Sequence, residues 1–480
     1  MKKTILISLS TLALATSCVD SLTDYNIDPK NPANVTGPSL FAGAERSLTR
    51  LVVSTNVNDN PFRLWVQYWA ETTYLDETRY NIKSRQIDRQ LWDGYYAILR
   101  NLVEAKNLVP NNKFVAAKVQ ANQQACIEIL SVYTWATLVN TFGDVPYTEA
   151  LDFNKSQPKY DDAKTIYNSL FTRLDAAIAT LDPKEEGMGA QDAIYNGDVA
   201  QWIKFGNSLK LRLALTIADD DAAKAKTLAE QASKDVFESL SDQAQLIFVA
   251  SPPNTNPLFE DLVQSGRHDF VGTNFFINDN LLKLKDPRVG AYFRIPNNPN
   301  FPTYRGGVNG AGNNFNNFSE PGAALLNPAL PGVLLSYPEV EFLLAEAVSR
   351  GFAVGGGSVE DHYNAGVTAS ISQWGGTEAQ AQAYLDQPTV AFTTASGTND
   401  LEKIGFQKWI ALYDQPVTAW TEWRRLDTPK LTPARGALSV IPLRVTYPTT
   451  ESNLNKANYN AASALIGGDA VSNRIFWDKK

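Results

Sequence analysis

Between residues 115 and 141 nearly every helical face is apolar: Ile127, Ile129, Leu130, Val132, Tyr133, Trp135, Leu138 and Val139 leave no continuous polar stripe. A helix of this kind is stable only when other elements cover it all round. Its stop is equally marked. In Phe142-Gly143-Asp144-Val145-Pro146-Tyr147, Gly143 suits the left-handed position past a helix end and Pro146 forbids continuation. The chain must therefore supply further helices as packing partners. Ser39 can cap one running through Phe41, Ala44, Leu48 and Leu51, and Pro61 suits the first turn of a second. A third is predicted from Gln86 to Val109 through Leu91, Tyr95, Ile98, Leu99, Leu102 and Ala105, with more at 162–181, 199–218 and 222–238. The run Asp219-Asp220-Asp221 reads as cap and dipole partner of the last, since no calcium-ligand spacing follows it.

The helical period returns after residue 337. Val340, Leu343, Leu344, Ala347 and Val348 fall on one face, and Glu346 with Arg350 reads as an exposed i,i+4 pair. Gly351 through Gly357 form a turn, and a second helix runs from Ser358 through Tyr363, Ala365, Gly366 and Ile371 to Trp374. A helix, a Gly-rich turn and a helix over about 36 residues have the size of a tetratricopeptide (TPR) unit. The predicted fold class is mainly α, with TPR-like helical hairpins within about residues 86–250 and 337–375 of one large domain, 38–480.

Residues 251–336 break this pattern with prolines from Pro252 to Pro331 and an Asn/Gly-rich segment, Asn297 to Asn317. Embedded aromatics, Phe270, Phe275, Phe276, Tyr292, Phe293, Phe301, Tyr304, Phe315 and Phe318, argue against disorder. The stretch reads as an irregular, loop-rich, ligand-facing excursion, with a solvent-exposed elaboration as the alternative.

Met1-Lys2-Lys3 and the apolar stretch Thr4–Ala15 have the form of a signal peptide, 1–17, too short to span a membrane. It closes on Leu14-Ala15-Thr16-Ser17-Cys18, as in a bacterial lipobox, which makes Cys18 the expected site of lipidation, palmitate-type acyl chains included; a plain signal peptide with an incidental Cys is the alternative. Acyl chains there form a stable anchor. Residues 18–37 read as a tether, and no later segment approaches 18 consecutive apolar residues. Two Cys and two His in 480 residues nearly remove disulfide frameworks, Cys/His metal sites and His-centred catalysis, and a net charge of −8 argues against nucleic acid as a partner. Cys126, in Ala125-Cys126-Ile127, reads as a buried small hydrophobe. Ten Trp and 19 Tyr make the chain rich in flat surfaces instead.

Several motifs occur in order along the chain: Asn140-Thr141-Phe142-Gly143-Asp144-Val145-Pro146-Tyr147, Asp286-Pro287-Arg288-Val289, Tyr337-Pro338-Glu339-Val340-Glu341-Phe342-Leu343-Leu344-Ala345-Glu346-Ala347, Gln407-Lys408-Trp409-Ile410-Ala411-Leu412-Tyr413, Trp420-Thr421-Glu422-Trp423-Arg424-Arg425, Arg444-Val445-Thr446-Tyr447-Pro448, and the closing Phe476-Trp477-Asp478. Together with the lipobox, this set resembles the SusD/RagB-type nutrient-binding outer-membrane lipoproteins. The resemblance implies a non-catalytic, surface-exposed lipoprotein on the cell outer membrane. It would capture oligosaccharide or another oligomeric nutrient for a SusC-like TonB-dependent transporter, as in polysaccharide utilization, and no cofactor is expected.

Sugar rings stack their C–H faces on aromatic rings, and their hydroxyls seek Asn, Asp and Arg. Residues of these types converge at Tyr74, Asp76, Arg79, Tyr80 and Asn81 between two helices, and at Tyr304, Arg305, Phe315 and Phe318 in the excursion; these are the candidate ligand-binding residues. Trp420, Trp423 and Arg424 read as packing groups. Gly306 to Gly312 lacks the Lys-Ser/Thr of a phosphate loop, and His268 and His362 stand alone. Three alternatives remain open: a surface glycoside hydrolase or lyase, since 51 acids leave room for a carboxylate pair, a peptide-binding member of the same family, and a TPR-like protein-binding scaffold.

Overall fold

The structure, a computed structural model, describes residues 35–480. The signal segment, Cys18 and the tether up to Asn34 lie outside the described residues. The first helix, α1 (Gly37–Val53), opens three residues before the position expected from a Ser39 cap: Thr36 is the cap, accepting from the Ser39 N–H, and Pro38 sits in the first turn. A short turn, Phe62–Trp65, follows Pro61. Then come α2 (Ile87–Leu108), the apolar α3 (Ala117–Phe142), α4 (Ala163–Thr180), α5 (Val199–Thr216) and α6 (Ala222–Ala232). Asp162, Asp198 and Asp221 cap the last three. Helix α6 ends six residues short of the predicted 238, the chain turning there through Ser233–Asp235. Asp219 and Asp220 serve as counter-ions of Arg350, Lys480, Lys164 and Lys479.

These helices pack as successive neighbours: α1 on α2, α2 on α3, α3 on α4, α4 on α5 and α5 on α6. By length and composition α3 is apolar enough to cross a membrane, beyond what the sequence suggested, but 89% of that window is buried in protein. Cys126 is buried within it, and burial pushes its thiol pKa up.

The second half adds α7 (Tyr337–Ser349) and α8 (Val359–Gln373), each capped by a Ser, then α9 (Glu378–Leu385), α10 (Asp400–Ala411) and α11 (Pro416–Leu426). Two short helices, α12 (Thr449–Leu454) and α13 (Lys456–Leu465), close the chain. Helices α7 and α8 form the predicted hairpin. A Cβ on Gly366 would lie 3.0 Å from the Phe342 ring, so glycine is what lets the two helices approach. Helix α7 also packs on α5 and α10, joining the halves.

The Glu346–Arg350 pair is not exposed. Glu346 is fully buried and is held by Arg425 as well as Arg350, while Arg425 and Lys408 both bind Glu422. An i,i+4 reading of one helix cannot see a guanidinium arriving from α11. Other buried pairs, Arg212–Glu339, Arg288–Asp286 and Arg63–Asp414, fasten further segments.

Strand is sparse. Three two-stranded antiparallel pieces join β1 (Trp69–Glu71) to β5 (Phe270–Gly272), β2 (Val145–Pro146) to β3 (Tyr160–Asp161), and β4 (Ala244–Leu246) to β6 (Gly332–Leu335). The excursion therefore supplies β5 and β6, and Phe270, Phe276, Tyr292 and Phe293 are buried in the core, not turned to a ligand. Tyr292 stacks on Tyr413 at 4.1 Å between centroids, and Phe276 on the same ring at 5.7 Å.

Candidate functional site

The loop after β1 and the outer part of the excursion are brought together by β1–β5 pairing, which sets Trp69 opposite Gly272 and Glu71 opposite Phe270. The contact continues past the strands. The Thr72 N–H donates to the Asp269 carbonyl, its hydroxyl to that of His268, and Asn313 donates from its backbone to Thr72 and from its side chain to the Glu71 carbonyl. Gly306 lies against Thr273 so closely that a Cβ there would sit 2.2 Å from the Thr273 carbonyl oxygen. Within the run Gly306 to Gly312, it is Gly306 that serves this close approach.

The candidates on the first loop divide by role. Tyr74 is 59% exposed, with the Arg85 and Arg267 guanidiniums 5.9 and 5.8 Å from its ring centroid. Tyr80 is buried; its hydroxyl accepts from the Ala434 N–H, and burial pushes its pKa up to about 12. Arg79 spends two donors on the Gly310 carbonyl, and Asn81 closes its own turn onto Asp76 through backbone and side-chain bonds. Arg79, Tyr80 and the Asp76–Asn81 pair shape the loop; Tyr74 is the flat group it presents. Beneath lies a buried carboxyl, Glu71, accepting from the Thr78 N–H and hydroxyl. Burial and the adjacent Glu77 carboxyl hold its pKa well above the usual carboxylate range, and Glu77 in turn pairs with Arg85.

In the excursion, Phe315 lies over His268 with centroids 4.3 Å apart. Three residues on, Phe318 faces Arg305, whose guanidinium carbon is 4.8 Å from that ring and 4.2 Å from the ring of Phe301. Tyr304 is half-buried, its hydroxyl over Gly290. The result is a ledge of flat groups, Tyr74, Phe315 on His268, and Arg305 between two phenylalanines, with exposed Asn314 and Asn316 beside it. Arg267, His268 and Phe301 escaped the sequence-based site, because nothing local marks them as neighbours of Tyr74. Other grooves exist. One of about 790 Å³ is lined by Tyr160, Arg444, Asn458 and Phe476, and another of about 1010 Å³ opens at Val35 and holds one exposed ring, Phe153, beneath Arg100. The ledge differs from the second in offering several flat groups in series, as an oligomeric ligand requires, and from both in being built on the loops of the excursion.

The architecture is that of helical, TPR-containing proteins. The sequence model of the SusD-like family, described as starch-binding associating with outer membrane, matches residues 29–448, and the chain belongs to that family. A solved chitin-binding protein is 26% identical, with a TM-score of 0.80, over 93% of this chain and all of its own. A SusD homolog from Bacteroides uniformis is also 26% identical (TM-score 0.74; 92% of this chain and 99% of that one). A chitin-binding SusD homolog from Flavobacterium johnsoniae shares the fold at 24% identity (TM-score 0.77; 92% and 99%). No curated protein matches the chain by sequence.

Proposed function

We propose that the protein is a cell-surface lipoprotein, anchored to the outer membrane through Cys18, that captures oligosaccharide on the ledge and passes it to a SusC-like TonB-dependent transporter. It binds without turnover. The observation that carries this reading is the series of flat groups, Tyr74, Phe315 and the Arg305 sandwich, set beside Asn side chains on loops that rigid helices hold. Aromatic faces take sugar C–H patches and the amides take hydroxyls, so affinity comes from surface and not from a deep pocket. The family description and the chitin-binding relatives support the ligand class. Calorimetry of the full chain against maltohexaose, chitohexaose and other oligosaccharides tests it. Binding should be weakened by Tyr74→Ala and Phe315→Ala and untouched by Phe153→Ala. Silence toward every glycan, or dependence on Phe153 alone, overturns the site. Co-purification of a large β-barrel partner tests the transport role.

A further inference from the structure

Residues 251–336 contain four arginines. Three hold a carboxylate: Arg267 with Asp269, Arg288 with Asp286 and Arg294 with Glu320. Arg305 does not. Among the described residues its guanidinium donates no hydrogen bond and meets no carboxylate, although it sits between the rings of Phe301 and Phe318. The neighbouring cations of the ledge are likewise spent, Arg79 on the Gly310 carbonyl and Arg85 on Glu77.

The position is built. The Arg305 N–H donates to the Ser319 hydroxyl, and its carbonyl accepts from the Ser319 N–H, Ser319 being fully buried. The Phe301 turn is tied to the Phe318 turn by the Asn298 side-chain amide, which donates to the Asn317 side chain at 2.6 Å, and the Phe301 N–H donates to the Asn298 carbonyl. Two aromatic faces therefore restrict the guanidinium while its five N–H donors stay available. A restricted guanidinium loses little further freedom when a planar pair of oxygens docks on it, and that geometry suits an anionic oxygen pair better than single hydroxyls. The whole chain carries −8, so attraction of an anion here comes from this one group and not from the general field.

We infer that the ligand of the ledge is an anionic oligosaccharide, and that Arg305 selects it by taking a sugar-borne carboxylate or sulfate ester through paired N–H donors, with Phe301 and Phe318 as the clamp that holds the guanidinium. The inference rests on the ledge being the glycan site. Neutral residues of the same oligomer would lie on Phe315 and Tyr74.

The test is calorimetry of the full chain with four hexasaccharides: chitohexaose and maltohexaose as neutral probes, an oligogalacturonate as the carboxylate probe and a sulfated galactan fragment as the sulfate probe. One anionic probe should bind at least tenfold tighter than either neutral one, and which probe does so assigns the anion. Arg305→Gln should lower that affinity at least tenfold, Arg305→Lys should recover only part of it, and raising salt from 50 to about 500 mM should weaken anionic binding alone. Equal or tighter binding of a neutral hexasaccharide overturns the inference while leaving the glycan-capture reading intact, and so does unchanged anionic affinity in Arg305→Gln with a wild-type melting temperature. If no hexasaccharide of either kind binds, the capture reading itself fails.

Discussion

The Arg424 guanidinium donates to the backbone carbonyl of Asn140, 2.8 Å away across 284 residues of chain. It also lies 3.5 Å from the Trp420 ring centroid and 4.9 Å from that of Trp477, and it donates to the Leu443 carbonyl. The Asn140 side-chain oxygen accepts from the Trp477 indole and the Tyr167 hydroxyl. Three of the motifs that suggested the family thus meet in one buried knot. Arg424→Leu leaves two carbonyls short of a donor at about 1–3 kcal/mol each. A loss of about 3 kcal/mol in denaturant unfolding is expected, with glycan affinity of the folded fraction unchanged.

The network of Glu346, Glu422, Arg425 and Lys408 predicts acid sensitivity. Burial alone would raise the pKa of Glu422, but Arg425 and Lys408 outweigh it and hold the carboxyl well below the usual range; for Glu346, likewise buried, Arg425 and Arg350 do the same. Depressed carboxylates contribute stability that is present above the unfolded value of about 4.3 and is lost as pH falls through and below it. The melting temperature should drop steeply from pH 5 to pH 3. Glu422→Gln should cost about 3 kcal/mol at pH 7 and flatten that acid limb.

Glu71 has the opposite sign. Its raised pKa means that the folded protein keeps a proton the unfolded chain releases, so stability declines as pH rises above about 4.3 until that proton leaves the fold as well. Glu71→Gln keeps the neutral form and should melt higher than wild type at pH 8 but not at pH 4.

On the ledge, the rings are expected to carry affinity in proportion to the face they offer. Phe315→Ala and Tyr74→Ala should each cost about 1 kcal/mol, roughly fivefold in Kd. Tyr304→Ala should cost less, since the Tyr304 hydroxyl is turned onto Gly290. Tyr80→Phe removes only the bond from Ala434 and should move the melting temperature without moving Kd in calorimetry.

The α7–α8 hairpin depends on a missing side chain. Gly366→Val puts a branched group where even a Cβ is 3.0 Å from the Phe342 ring, and a loss of about 2 kcal/mol by thermal unfolding is expected.

Much of the helical body was legible because its causes are local: apolar period, and the capping side chains of Asp162, Asp198, Asp221, Ser336 and Ser358. What escaped was set by distant chain. Tyr74 and Tyr80 look alike in sequence, yet one is exposed and the other buried, because Ala434, 354 residues on, receives the second. Glu346 reads as a surface acid until Arg425 is folded onto it. Arg267 and His268 reach the ledge through a strand pair three residues long, and Phe301 through the Asn298–Asn317 side-chain bond. Residue type in a polar loop therefore signalled Tyr74 and Phe315, whereas their neighbours were fixed by tertiary register.

The clasp of Arg305 onto Ser319 encloses residues 306 to 318 as a loop whose two ends meet at one hydrogen-bonded pair. Phe318 sits beside the closure and Phe315 three residues inside it, and the buried ion pairs of the helices lie outside the loop. The loop is also pinned midway, Asn313 to Glu71 and Thr72 and Gly310 to Arg79, so substitutions at Asn314, Phe315 and Asn316 change what the outer face can hold while those anchors keep the helical frame as it is.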